Sequence, residues 1–127
     1  IKYYKNDRVI TKAVKEIVKK IASRGNIIIL GRGGVGLTRH IKNSLHIKLY
    51  APKPWRIESV ARKFNISSKE AADFVDKKDR ERDLIINKFI TCDNPMDAFD
   101  IGINCMTSNR SDIFYCIAGL MRSRGLE

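Results

Sequence analysis

With 127 residues, 43% of them hydrophobic, the chain is long enough for one domain with a real core. Lys and Arg number 25 against 14 Asp and Glu; the formal charge of +11 favours an anionic partner, whether nucleotide, nucleic acid or acidic membrane surface. Cys92, Cys105 and Cys116 are widely spaced, form no C-x-x-C pair and lie far from His40 and His46, which excludes a disulfide framework and a zinc site and indicates a reduced, cytoplasmic setting.

Ile10, Ala13, Val14, Ile17, Val18 and Ile21 recur at helical spacing, with Lys12, Lys15, Glu16, Lys19 and Lys20 on the other face. Gly25 is expected to end this helix. The run Ile27-Ile28-Ile29-Leu30 is continuous, apolar and β-branched, and it stops abruptly at Gly31-Arg32-Gly33-Gly34. That pattern predicts a strand over 26–31, buried on both faces as in a parallel sheet. Arg32 then stands just beyond a strand's carboxyl end, where open α/β sheets bind ligands.

A second strand is predicted over His46–Ala51, stopped by Pro52 and Pro54, followed by a short helix from Trp55 to Phe64. Ser67 and Glu70 have capping-box spacing and open a long helix from about Ser68 to about Phe89. Residues 93–97 read as a loop, residues 100–105 as a third strand, and Ser111 as the cap of a last helix stopping near Gly125. Alternating helices and strands argue for an α/β fold with a parallel sheet flanked by helices. Cys105 and Cys116 lie in apolar stretches and read as small core residues. No apolar run approaches the length of a membrane span, and no secretory signal shape is present, so no membrane partner is expected.

The glycine segment fits two phosphate-binding patterns incompletely. Gly31, Gly33 and Gly36 match G-x-G-x-x-G, but the next strand ends in Tyr50-Ala51-Pro52, without the carboxylate that would take ribose hydroxyls. Gly31 through Thr38 also match G-x-x-x-x-G-K-[ST], except that Leu37 replaces the lysine that neutralises the outer phosphates. A tight turn whose glycines permit close packing accounts for the segment equally well. In the charged run 76–83, Asp76 with Arg80 and Asp79 with Arg82 have helical-neighbour spacing, so ion pairs on a solvated face or an arginine oriented by a carboxylate both fit. Arg56 either reaches over the sheet's carboxyl edge or covers apolar surface with its stem.

Taken in order, Gly31-Arg32-Gly33, Tyr50-Ala51-Pro52 with Arg56-Ile57, Ser67-Ser68-Lys69-Glu70-Ala71, Asp79-Arg80-Glu81-Arg82 and Phe99-Asp100-Ile101-Gly102-Ile103-Asn104 resemble the later two-thirds of a cytidylate-kinase-like protein. The resemblance runs from roughly Asp7 to Glu127. It implies a P-loop NTPase fold of the nucleoside monophosphate kinase kind, with a helical lid over about residues 65–95. It also implies ATP and Mg2+ as cofactors and no resident metal site. By the same resemblance Arg32, Gly31, Gly33 and Arg56 bind the acceptor nucleotide, while Asp79 and Arg82 are catalytic lid residues, Arg82 meeting the transferred phosphoryl group.

The chain departs from the family at three points. Gly33 replaces an aspartate that recognises the cytidine nucleotide, and Val75 replaces an arginine one turn before the lid aspartate, with Lys77 or Lys78 as substitutes lacking its bidentate fork. No glycine-rich P-loop precedes Gly31, although Ile1-Lys2-Tyr3-Tyr4 resembles the family's second strand. The expectation is a single but incomplete kinase-like domain over 1–127, lacking an N-terminal portion and an internal segment after about Asn6. The first functional reading is transfer of the ATP γ-phosphoryl group to a nucleoside monophosphate such as CMP. The second is a catalytically inactive nucleotide-binding or regulatory module of the same fold. Nucleic-acid binding ranks last, because the basic residues are spread over every element and no recognition helix or aromatic platform is present.

Overall fold

The computed structural model describes residues 2–31 and 33–126. In chain order its elements are α1 (Lys2–Ala22), α2 (Gly34–Thr38), β1 (Ile47–Tyr50), α3 (Lys53–Phe64), α4 (Ser68–Phe89), a 3₁₀ turn (Pro95–Ala98), β2 (Ile101–Asn104) and α5 (Arg110–Ser123). The strands pair in parallel, with Ile47 opposite Ile101 and Tyr50 opposite Asn104. The result is a mixed helix–strand fold whose described sheet has two strands. No described helix is long and apolar enough to cross a membrane.

The helical hairpin of α3 and α4 is set by local chemistry. Pro54 lies in the first turn of α3, where its missing N–H costs nothing, and Asn65 ends the helix in the left-handed region at φ 51°. The Ser67 hydroxyl accepts from the Glu70 N–H at 3.2 Å, and the Glu70 carboxylate accepts from the Ser67 N–H at 2.9 Å. That reciprocal pair is the capping box expected from the sequence. Ala71 and Val75 face the interior one turn apart on α4, and the Phe64 and Phe74 rings meet at 5.8 Å beside the turn. Among the described residues, Leu37, Ile90, Ala98 and Ile103 complete the small set of buried apolar side chains.

Several expectations need correction. Residues 26–31 form no strand: Ile28 and Leu30 are each 86% exposed, and Asn26 turns the backbone through φ 51°. A strand exists only by lateral pairing, and the described sheet offers this segment no partner. Lys2, Tyr3 and Tyr4 lie in α1 rather than in a strand; Ile1 is outside the described residues. The last helix is capped by Asn109, whose side chain accepts from the Asp112 N–H, so Ser111 sits inside the first turn. Cys116 is exposed on α5 rather than in a core. Residues 95–98, overlapping the loop predicted over 93–97, wind into the 3₁₀ turn, where the Asn94 side chain accepts from the Met96 N–H.

Candidate functional site

Three of the residues singled out by the sequence meet at the carboxyl end of β1. Arg56, in the first turn of α3, donates from Nε to the Ala51 carbonyl at 3.1 Å. Its two terminal nitrogens grip both oxygens of Asp79 on α4, at 2.7 and 2.9 Å. Arg82, one turn further along α4, donates to the same carboxylate at 2.9 Å. The fork geometry is one that only arginine supplies. The Arg56 guanidinium is thus turned to the backbone just beyond β1 and to Asp79.

The placement follows from helical periodicity. Ala71, Val75, Asp79 and Arg82 lie on one stripe of α4, and the stripe runs from the interior to the surface. Val75 is buried, Asp79 is 29% exposed and Arg82 is 54% exposed. Val75, where the resemblance expects an arginine, therefore belongs to the packed end of the stripe. Asp76, predicted to pair with Arg80, instead bonds Lys53 across the hairpin.

The cations act on the acids between them. The Arg56 hydrogen bonds, seconded by the Arg82 charge, hold the Asp79 carboxyl below its ordinary value. Asp79 is thus an anion whose lone pairs are largely taken, suited to orienting guanidinium groups rather than moving protons. Lys48 of β1, which sequence reasoning missed, lies in the same field. Burial pushes its ammonium pKa down, and the nearby Arg82 charge adds to the effect. A lysine in an otherwise apolar strand, Ile47-Lys48-Leu49, was the signal available.

Gly33 meets α4 at its C-terminal end, beyond this cluster. Gly33 precedes α2 at φ 67°, and a β-carbon there would overlap the Phe89 ring. At Gly36 a β-carbon would strike the Phe89 carbonyl itself. The glycines let α2 press against the C-terminal end of α4, roughly 10 Å along that helix from Arg82. Leu37 is buried, and the Thr38 hydroxyl donates to the Gly34 carbonyl at 2.9 Å while meeting His46 Nε2 at 2.9 Å. Leu37 and Thr38 are therefore taken up by packing and internal hydrogen bonding. Arg32 is outside the described residues.

A second polar cluster fastens the opposite end of the sheet. Asp100 accepts from the His46 N–H at 2.7 Å and from Arg124 at 3.1 Å, while its own N–H donates to the His46 carbonyl at 2.8 Å. Burial opposes ionisation of Asp100, but these donors outweigh it and keep the carboxyl below its ordinary value.

Among the described residues no group of three or more His, Cys, Asp or Glu could hold a metal ion. Mg2+ in phosphoryl transfer is carried mainly by phosphates and needs one or two carboxylates, but Asp79 is already engaged by two guanidinium groups. The described residues do not fit a resident metal.

The pattern of the cytidylate kinase-like family matches residues 2–106, spanning Gly31, Gly33, Lys48, Arg56, Asp79 and Arg82. The chain therefore belongs to the cytidylate kinase-like family. No curated protein and no solved structure matches it. Membership gives a kinase-like, nucleotide-handling function at the level of the family.

Proposed function

We propose that this chain serves an ATP-dependent nucleotide kinase of the P-loop NTPase class, transferring the γ-phosphoryl group to a nucleoside monophosphate such as CMP. The observation that carries the reading is the Arg56–Asp79–Arg82 constellation at the carboxyl edge of β1, within the span matched by the family. In such a transfer an acceptor phosphate oxygen bonds the γ-phosphorus as the bond to the leaving ADP oxygen breaks. Positioning and charge neutralisation supply most of the catalysis. Arg82, the more exposed guanidinium, is the residue that reaches the transferring group; Asp79 orients it. Arg56 is the acceptor-side residue within this cluster; Gly31, Gly33 and Arg32, assigned to the acceptor side by the family resemblance, belong to the segment before α2, and residues 65–95 are the lid. ATP brings the phosphoryl group and Mg2+ with it, and the three free cysteines suit a cytoplasmic setting.

The test is coupled ADP release with a panel of nucleoside monophosphates, comparing the protein with Arg82→Ala. Turnover should fall by at least about 100-fold in the variant. Near-normal turnover would remove Arg82 from the mechanism. A second reading, a nucleotide-binding module without transfer, draws on residues 31–38, where Leu37 is buried and Thr38 is engaged within the fold. Nucleotide binding without ADP release would select it.

A further inference from the structure

We infer that the groove between α1 and the C-terminal end of α4 is a binding site for a compact oligophosphate, separate from the Arg56–Asp79–Arg82 cluster. The groove has a volume of about 410 Å3 and is lined by Arg8, Thr11, Lys12 and Lys15 of α1 and by Lys88 of α4. Four of these five described lining residues are cations, and none is an acid. Lys15 reaches across the junction of the two helices, its ammonium 5.8 Å from the centre of the Phe89 ring. Lys88 stands six residues beyond Arg82, about 9 Å along α4 and about 120° round it, so the two sites use different faces of that helix. The inference holds whether or not the chain transfers phosphoryl groups.

Arg8 and Lys12 lie four residues apart and Lys12 and Lys15 three apart, so their like charges are neighbours on one face of α1 and oppose the helix. Among the described residues none of these three forms an ion pair. Glu16, beside Lys15 in the chain, lines a different groove with Ile17, Lys19, Lys20 and Ser23. The competing explanation is a solvated basic face, whose side chains spread into water from one helix. Here a second helix brings a cation to the same concavity. A hollow lined by one sign of charge focuses the field and gathers anions. Its dimensions select the ligand. Arg8 to Lys15 covers roughly 10 Å of helix, and the volume is that of a small-molecule site. No aromatic side chain is among the described lining residues, so a single-stranded nucleic acid finds no base-stacking platform. A short chain of phosphate groups matches both the length and the donors, because its oxygens accept from ammonium and guanidinium groups together.

The probe is inorganic tripolyphosphate, titrated into the full chain and followed by amide NMR, which locates the ligand and needs no turnover. The amide signals of Arg8, Lys12, Lys15 and Lys88 should shift together and saturate. Lys12→Gln combined with Lys15→Met should raise the half-saturating concentration at least about tenfold. The methionine keeps an apolar stem against Phe89, so the loss reports charge rather than packing. Lys63→Gln, an exposed charge on α3 outside the groove, should change it less than about twofold, since exposed charges beyond contact are screened. Shifts that never saturate, shifts confined to the surroundings of Arg56 and Arg82, or an equal loss in the Lys63 variant would each overturn the inference. So would a short single-stranded oligonucleotide that shifts the same four signals at a lower phosphate concentration than tripolyphosphate, because it would make the groove part of a nucleic-acid surface.

Discussion

Along Lys53–Phe89 the side chains that set the geometry also satisfy one another, whereas along residues 26–31 an equally regular apolar pattern finds nothing to pair with. In the first region the caps, the aromatic contact and the Arg56–Asp79–Arg82 cluster join residues of two adjacent helices. In the second, Ile28 and Leu30 face solvent because a strand's partners must come from elsewhere in the fold. Helical order is decided by nearby residues; strand order is decided by a neighbour.

The sharpest way to break this comparison is Asp79→Asn. It removes the carboxylate that both arginines share, and a loss of about 2 kcal/mol in denaturant unfolding is expected, typical of charged hydrogen bonds. Little or no loss would mean that the hairpin holds without its ion cluster. The same carboxylate defines an acid limb. Its pKa is lowered from 3.8 in the folded protein, so its contribution is complete above that value and disappears as pH falls below it toward the folded-state pKa. Thermal unfolding should therefore hold level above about pH 5 and weaken below about pH 4. Asp79→Asn should flatten part of that decline; Asp100 supplies another part, its pKa being lowered likewise. The smallest effect sharpens the other side. Ile28→Ser should change stability by less than about 0.5 kcal/mol, as substitutions at open surface positions do. A loss of several kcal/mol would restore the buried strand that the sequence pattern predicts.

How much was legible follows the same division. The capping box at Ser67 and Glu70 is visible because both partners lie within one turn. Asp79 and Arg82 could be placed on one face for the same reason. Arg56 was recognisable as an arginine at a sheet edge, but its grip on Asp79 spans 23 residues and is not encoded in spacing. Lys48 escaped notice because a single charge in a short strand says nothing about which helix lies opposite. Gly33 and Gly36 were ambiguous for a related reason: the Phe89 contact that makes them necessary comes from another element. Asn109 was missed because Ser111, two residues on, is an equally good capping type.

The clasp between His46 and Asp100 bears on how the molecule assembles. It joins residues 54 apart, and closing a loop of that length costs at least about 3.5 kcal/mol of chain entropy. Its two reciprocal hydrogen bonds, one of them to a carboxylate, return about 2–4.5 kcal/mol, comparable with that cost and leaving little surplus. A helical hairpin that formed first inside the loop would shorten the effective span. In refolding, amide-exchange protection at α4 should accordingly precede protection at His46, making the sheet the last piece to lock.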